Sequence, residues 1–244
     1  LALTIIRSAQ EQKLKCLYVD TEGKLDFEYA EKLGVNLEKL IVSETDIGEA
    51  VVDDILNTLD KVDVVLLDSI DGLVPRAILE ATANQQTMGA QARLVAKLIR
   101  KAKGEVLKND ICFILLNQFR VDFFTGQMKT SGGLAPGYYA AVQLKLNQSG
   151  RVMKGESVIG VEIEGQVTKN QVGAPYKTFN SVLLFDGGFS KEHDILQEAL
   201  NKGIIEKQGQ FYLMGGEKIG RGANGAREAL KDEALLAKVK GLLG

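Results

Sequence analysis

The chain has 244 residues, 45% of them hydrophobic, and its 30 basic and 32 acidic side chains leave a formal net charge of -2. This size and composition are typical of a globular protein with one large domain or two smaller ones. No apolar run approaches the roughly 18–20 residues that span a bilayer, and the N-terminus lacks the pattern of a signal peptide, so we expect no membrane partner and a cytoplasmic location.

The first half of the chain alternates between helical and strand-like segments. "LALTIIRSAQ" has the apolar spacing of a helix, "KCLYVD" is typical of a strand, and "FEYAEKLG" predicts a second helix. The alternation continues with strand "LIVS", helix "GEAVVDDILNTL", strand "VDVVLLD", helix "AQARLVAKLIRKAKGEVL" and strand "ICFILLN". This order predicts an α/β fold with a mostly parallel central sheet flanked by helices.

After Gln118 the pattern changes to a Gly-rich segment and then to the strand-like runs "VQLKL", "SVIGVEIEGQVT" and "NSVLLF". We expect these runs to extend the central sheet, in part antiparallel. From about Lys191 the sequence predicts helix "DILQEALNKG", short strands around "QFYLM" and "EKIG", and one long helix, "AREALKDEALLAKVKGLL". The predicted domains are therefore a core over 1–188 and a small C-terminal α/β domain over 189–244.

Cysteine and histidine are scarce in the chain, with two residues and one residue respectively. Cys16 and Cys112 each lie in an apolar strand-like run, so we expect two buried free thiols, with no disulfide and no metal site. The single histidine, His193, is most simply a surface or capping residue.

Polar side chains follow three of the predicted strands at the point where each strand ends. They are Asp20, Glu22, Asp68, Ser69, Asn117 and Gln118. An acid in the position of Asp68 is typical of magnesium binding in nucleoside triphosphatases, but it could equally cap a turn. Glu22 could activate water for attack on a phosphate, or it could be a solvated loop acid. The carboxyl ends of parallel strands share one edge, so this edge is the candidate ligand site.

The phosphate-binding string G-x-x-x-x-G-K-[ST] does not occur in the sequence. The chain instead begins directly on an amphipathic helical segment that has neither a capping residue nor a proline. We therefore expect the sequence to start inside a structural element.

The motifs, taken together, resemble the bacterial-type RecA recombinase family over essentially the whole chain. The matching segments are "YVDTEGKLDFEYAEKLGV", "VVLLDSIDGLVPRA", "TMGAQAR", "LLNQFR", "TSGG", "YYAAVQLKL", "TKNQVGAPYK" and "GEKIGRGANGARE". The resemblance implies a RecA-like ATPase core with a small C-terminal domain. It also places a phosphate loop just upstream of Leu1, with an oligomerisation element before that loop.

The resemblance implies ATP and Mg²⁺ as cofactors. It gives Asp68 the magnesium role, makes Ser69 its neighbour on an unusual backbone turn, and makes Glu22 the base that activates water. Tyr29 matches a residue that stacks on adenine, and Asp26 matches one that bonds to the adenine amino group. Taken without the resemblance, Asp26 and Tyr29 are better explained as a helix cap and a packing residue.

Two further residues are assigned to the terminal phosphate by the resemblance. Gln118 matches the residue that senses this phosphate and passes its presence to the following DNA-binding loop. Lys169 matches one of two lysines that reach across from a neighbouring subunit, whereas Gln171 stands where the second lysine is usual. Half of the cationic clamp of the family is therefore missing.

DNA binding is implied for two loops: "LEATANQQTMGAQAR", which runs into a basic helix carrying Arg93, and the Gly-rich stretch from Phe119 to Gly137. Helix starts and glycines suit phosphate oxygens, and arginines supply charge for sequence-independent binding, although a basic helix face alone is more often merely solvated. The resemblance places Met88 and Phe123 between stacked bases, and puts Arg93, Arg100, Arg120, Gly132 and Gly133 on the backbone. Asp122 and the lysine-free segment "LAPGYY", which includes Gly137, depart from the family pattern.

The function implied is that of an ATP-dependent recombinase. Such a protein forms a head-to-tail helical filament on single-stranded DNA, pairs it with homologous double-stranded DNA and exchanges strands. Two alternatives remain at this stage, a helicase-type motor of the same fold and a non-catalytic paralogue that acts as an interaction partner.

Overall fold

The computed structural model describes residues 1–82, 89–121, 126 and 128–244, so the predictions for Met88, Asp122 and Phe123 lie outside the described residues. The chain divides into two compact units, Leu1–Ala141 and Val142–Gly244. The domain boundary between residues 188 and 189 stays a prediction.

The first unit contains a four-stranded parallel sheet with helices around it. Its helices are α1 (Ala2–Glu11), α2 (Phe27–Lys32), α3 (Gly48–Thr58), α4 (Arg76–Leu79), α5 (Ala90–Lys108) and α6 (Ala135–Tyr139). Its strands are β1 (Cys16–Asp20), β2 (Leu40–Glu44), β3 (Val64–Asp68), β4 (Cys112–Leu115), β5 (Phe119–Val121) and β6 (Met128–Thr130). The parallel sheet has the order β2-β1-β3-β4, and β5 pairs with β6 in a separate antiparallel hairpin. The α/β prediction is confirmed.

The two central strands of the parallel sheet are buried on both faces, which explains their continuous apolar sequences. Alternate side chains enter two separate hydrophobic clusters because successive residues of a strand point to opposite faces. One cluster contains Leu17, Val19, Val65 and Leu67 with apolar residues of α3 and α5. The other contains Cys16, Tyr18, Val64 and Leu66 with residues of α1 and α2. Packing on both faces fixes the ends of β1 and β3 rigidly at one edge.

The second unit contains two antiparallel sheets and three helices among its described residues. Its first sheet, in the order β10-β9-β8-β7, is formed by β7 (Val142–Lys154), β8 (Ser157–Asn170), β9 (Thr178–Leu184) and β10 (Gly188–Phe189). The elements that follow are α7 (Lys191–Asn201), β11 (Ile205–Gln208), β12 (Phe211–Met214), β13 (Glu217–Arg221), α8 (Gly222–Ala229) and α9 (Glu233–Leu243). A hydrophobic cluster that includes Leu196, Ile205 and Leu230 packs these later elements together.

Three expectations from the sequence are wrong. The strands after the Gly-rich segment form an antiparallel sheet of their own instead of extending the parallel one, and in it a short turn between Lys154 and Ser157 joins β7 to β8. The predicted long C-terminal helix is two helices, since Asp232 caps α9 by accepting a hydrogen bond from the backbone N–H of Leu235 (2.9 Å). Cys112 is exposed, at the start of an edge strand of its sheet.

His193 lies in the first turn of α7, where its backbone N–H donates to the Ser190 side chain (3.2 Å). Over the described parts of the chain, no helix combines the length and apolar character needed to cross a membrane.

Candidate functional site

The ends of β1 and β3 meet at the carboxyl edge of the parallel sheet. Asp20 and Asp68 are paired in register across the two strands. Beyond them, the Thr21 backbone N–H donates to the Asp68 carbonyl (2.9 Å), and the Ser69 backbone N–H donates to Thr21 Oγ1 (2.9 Å). The peptide bond between Asp68 and Ser69 is cis. The two hydrogen bonds join the loop after β1, which carries Glu22, to the loop after β3, which carries Ser69.

Asp20 has a structural role at this edge. Its side chain is buried, and its two carboxylate oxygens accept hydrogen bonds from the backbone N–H groups of Glu22 (3.0 Å) and Leu25 (2.7 Å). A carboxylate that accepts local backbone donors is the usual way in which an aspartate shapes a turn. Asp20 therefore fixes the loop that presents Glu22.

Glu22 is the centre of a polar cluster formed from three separate parts of the chain. Its Oε1 accepts a hydrogen bond from Ser69 Oγ (2.7 Å) and lies 3.5 Å from Gln118 Nε2. Its Oε2 forms an ion pair with Lys24 Nζ (2.7 Å). The hydrogen bonds from Lys24 and then Ser69 lower the pKa of Glu22. Glu22 is therefore ionised at neutral pH, and the structure brings three predicted site residues, Glu22, Ser69 and Gln118, together.

Asp68 is oriented by the strand beside it. Its Oδ2 accepts a hydrogen bond from the Tyr18 hydroxyl (2.5 Å), and burial together with this bond raises the pKa of Tyr18. Among the described residues no group of three or more His, Cys, Asp or Glu side chains could hold a metal ion alone. Magnesium in nucleotide sites is usually held by one or two carboxylates, with phosphate and water completing its ligands. The single oriented carboxylate of Asp68 fits that role.

The two predicted adenine contacts lie at the start of α2. Asp26 is the N-cap of the helix, and its Oδ1 accepts a hydrogen bond from the Tyr29 backbone N–H (2.9 Å). The capping explanation for Asp26 is therefore observed, while Tyr29 is half-buried. Their contacts with adenine stay predictions.

A basic groove, formed by residues of α5, is the first candidate DNA surface. Four exposed cations recur at positions i, i+4, i+7 and i+8, which places them on one helix face. They are Arg93, Lys97, Arg100 and Lys101. Together with Ala92 and Ala96 they line an open groove of about 570 Å³. The two small alanines leave room between the cations, so the groove could accept a phosphate backbone.

The β5–β6 hairpin is the second candidate DNA surface. Arg120 lies in β5 with its side chain 68% exposed, and its Nη2 forms an ion pair with Asp71 Oδ1 (2.8 Å). Gly132 and Gly133 follow the hairpin with φ angles of +81° and +70°. A Cβ on Gly132 would lie 2.8 Å from Ile70 Cγ2, and one on Gly133 would lie 2.9 Å from Ala92 Cβ. Both glycines therefore have a packing role, and their contacts with DNA stay predictions.

Asn117 and Ser131 close the base of this hairpin. Asn117 Nδ2 donates to the Ser131 carbonyl (2.9 Å), and the Ser131 backbone N–H donates to Asn117 Oδ1 (3.1 Å). Ser131 Oγ also donates to Asp71 Oδ1 (2.6 Å). Sequence reasoning missed Asp71, because "DSIDG" identifies it only as a turn residue.

Lys169 lies near the end of β8 in the second unit, where it is half-buried and paired in register with Gln143 of β7. Gln171 is exposed and follows the end of this strand. The role of Lys169 toward a neighbouring subunit stays a prediction.

Comparisons with known proteins assign both parts of the chain. The RecA N-terminal domain family matches residues 1–190, and the RecA C-terminal domain family matches residues 193–239. Protein RecA of Delftia acidovorans is 38% identical over 254 residues, which cover 100% of this chain and 69% of the relative. Protein RecA of Syntrophus aciditrophicus is 38% identical over 238 residues, which cover 95% of this chain and 69% of the relative. Protein RecA 2 of Myxococcus xanthus is 35% identical over 243 residues, which cover 98% of this chain and 68% of the relative.

Proposed function

Because the chain belongs to the RecA family, we propose that it is an ATP-dependent DNA recombinase that forms filaments on single-stranded DNA and promotes pairing and strand exchange with homologous duplex DNA. The observation that carries this proposal is the RecA N-terminal domain match over residues 1–190, within which Glu22, Ser69 and Gln118 form one polar cluster.

In this proposal Glu22 is the general base of ATP hydrolysis. Its ionised carboxylate accepts a proton from the attacking water, while the Ser69 hydroxyl holds Oε1 in place (2.7 Å). Asp68, oriented by Tyr18, binds magnesium, and Asp26 and Tyr29 contact adenine. Bound magnesium and ATP supply the electrophilic terminal phosphate. Most of the remaining work is positioning and charge stabilisation.

Gln118 connects this chemistry with DNA in the proposal. Its side-chain amide lies 3.5 Å from the proposed base, and Gln118 directly precedes β5, the strand that carries Arg120. A displacement of Gln118 toward a terminal phosphate would therefore also act on the base of the β5–β6 hairpin. Met88 and Phe123 are proposed to separate groups of stacked bases.

DNA affinity in the proposal comes from backbone contacts by Arg93, Arg100, Arg120, Gly132 and Gly133. Such contacts hold the phosphates without reading sequence, so the bases themselves provide pairing specificity. Assembly is head-to-tail, and Lys169 of one subunit acts on the terminal phosphate bound by the next.

The decisive experiment combines filament formation and strand exchange. We expect the full-length protein to form filaments on single-stranded DNA with ATP, seen by electron microscopy, and to exchange a labelled strand with a homologous duplex. Directional unwinding without exchange would identify a helicase-type motor instead. Neither activity, with DNA and ATP binding absent, would identify a non-catalytic interaction partner.

The basic groove provides a residue-level test of the DNA surface. Arg93→Ala and Arg100→Ala should each lower the slope of log affinity against log salt for single strands by about 0.7. Lys108→Ala is the matched control, because this exposed lysine lies on the same helix about 22 Å from Arg93. An unchanged slope in both arginine variants would place the DNA elsewhere.

A further inference from the structure

We propose that Asp71 is a positioning residue for DNA binding: it orients Arg120 and ties the β5–β6 hairpin to the edge of the sheet that carries Glu22. The inference rests on the proposed function, since it assumes that Arg120 contacts a DNA phosphate. Asp71 lies in the short 3-10 turn Ile70–Gly72, which is separated from the end of β3 by Ser69 alone.

The Asp71 carboxylate accepts hydrogen bonds from three residues beyond β4. Oδ1 accepts from Ser131 Oγ (2.6 Å) and pairs with Arg120 Nη2 (2.8 Å). Oδ2 accepts from the backbone N–H of Gln118 (3.2 Å). The Asp71 side chain is only 5% exposed, so these donors replace the water that a carboxylate otherwise needs. The contacts reach both ends of the hairpin, because Gln118 precedes β5 and Ser131 follows β6.

The turn that carries Asp71 is itself held from two directions. Gln91 Nε2, in the first turn of α5, lies within hydrogen-bond distance of the carbonyl oxygens of Ile70 (3.1 Å), Asp71 (3.1 Å) and Leu73 (3.2 Å). Directly after β4, the Leu116 carbonyl accepts a hydrogen bond from the Ile70 backbone N–H (2.9 Å). The carboxylate is therefore a fixed acceptor, and the hairpin is the part that it locates.

The chemistry of the pair shows why a carboxylate at this position would serve DNA binding. A carboxylate repels phosphate, so Asp71 is not itself a contact for DNA. A guanidinium carries five N–H donors, and the ion pair to Asp71 is made through Nη2 of a side chain that is 68% exposed. A charge-assisted bond to a buried acceptor holds the guanidinium in one orientation. Arg120 then loses less side-chain entropy when it binds a phosphate.

Asp71 also connects the hairpin with the nucleotide residues. The backbone N–H of Gln118 donates to Asp71, while the side-chain amide of the same residue approaches Glu22 Oε1 (3.5 Å). A change at Gln118 therefore alters the donors around Asp71. Because Arg120 and Ser131 share its other oxygen, the position of the hairpin would respond to the state of the nucleotide edge.

The test is the salt dependence of binding to a poly(dT) probe by the full-length protein and its Asp71→Ala, Arg120→Ala and double variants. We expect Arg120→Ala to lower the slope of log affinity against log salt by about 0.7. Asp71→Ala should lower the slope equally, and the double variant should lower it no further. A residue that only stabilised the fold would weaken binding without changing the number of phosphate contacts, and so without changing the slope.

Asp54→Ala is the matched control, because Asp54 Oδ2 also accepts a serine hydroxyl hydrogen bond (from Ser43, 2.8 Å) in the same unit. Its slope should equal that of the unmodified protein. If Asp71→Ala does not fold by circular dichroism, Asp71→Asn replaces it, since the amide keeps the shape but presents N–H donors to Gln118 or to Arg120. The slope of Asp71→Asn should also fall.

Three outcomes would overturn the inference. A slope unchanged by the Asp71 variants, beside a lowered slope for Arg120→Ala, would refute the role of Asp71 alone. Tighter binding with a steeper slope would show that Asp71 competes with phosphate for Arg120 instead of presenting it. A slope unchanged by Arg120→Ala would refute both this inference and the proposed contact of Arg120 with DNA.

Discussion

Replacing Glu22 by Gln removes the proposed base and keeps the shape of the side chain. The amide oxygen can still accept the hydrogen bond from Ser69 Oγ, which is 2.7 Å from Oε1 in the structure. The amide nitrogen of the new side chain faces Lys24 Nζ, so two hydrogen-bond donors oppose each other and the ion pair is lost. The side chains at positions 22 and 24 both reach solvent, so we expect the fold and nucleotide binding to persist.

The expected loss is therefore one of turnover. A positioned general base typically contributes a factor of about 10²–10⁴ to the rate, which corresponds to about 2.7–5.4 kcal/mol in the activation barrier. The assay is DNA-stimulated ATP hydrolysis by the full-length protein at saturating ATP, with nucleotide and DNA affinity measured separately. Kd values within a few-fold of the original should accompany the loss of kcat.

Glu44→Gln is the matched control for this variant. Glu44 is an exposed carboxylate at the end of β2, paired in register with Asp20 at the same edge of the sheet. Its removal changes the charge of the edge by the same amount without removing the base, so kcat should hardly change. Near-normal hydrolysis by Glu22→Gln would remove Glu22 from the mechanism. An equal loss in both variants would show that the charge of the edge, and not a base, sets the rate.

Three further predictions concern the surroundings of Glu22, the neighbouring subunit and backbone packing. Lys24→Met removes the hydrogen bond that lowers the Glu22 pKa most, so this pKa should rise. The acidic limb of the kcat–pH profile should then move to higher pH. An unmoved limb would contradict the assignment of Glu22 as the base. Lys169→Ala should abolish DNA-stimulated ATP hydrolysis. Mixing this variant with Glu22→Gln should restore some turnover in shared filaments, because some subunit interfaces then carry both intact residues. No recovery would show that Lys169 does not act across subunits. Gly72→Ala should lower the free energy of unfolding by about 1–3 kcal/mol in chemical denaturation, since its Cβ would lie 2.2 Å from a threonine hydroxyl. Gly104→Ala, in open space on α5, should raise it by up to about 1 kcal/mol. Equal effects of the two substitutions would contradict the packing argument.

The arrangement of strand ends could be predicted from sequence because parallel strands end at one edge. Asp20, Asp68 and Gln118 were placed on that edge by their positions alone, and the register pairing of Asp20 with Asp68 confirms the first two. The division of roles was not predictable. Whether Asp20 shapes a loop or binds a ligand depends on the backbone N–H groups of Glu22 and Leu25, which only the folded loop brings to it.

Other features depended on contacts between distant positions. Asp71 is separated from Gln118 by 47 residues and from Ser131 by 60, so no local pattern identifies it. The end of α8 was different, since the aspartate that caps α9, Asp232, is a recognisable start signal within an otherwise continuous helical pattern. Its capping signal divides the two helices even though the apolar periodicity continues across it.

The reciprocal bonds between Asn117 and Ser131 have a consequence for how this protein could evolve. They pin both ends of the intervening segment at one point, so the length of the segment affects the free energy mainly through loop closure. The entropy cost of loop closure grows slowly with length, by only about 0.6 kcal/mol for each doubling. A change in chain length between Val121 and Met128 should therefore leave the bonds between Asn117 and Ser131 in place. A lineage could in this way vary the chain between the two strands while the bonds at the base of the hairpin keep its ends together.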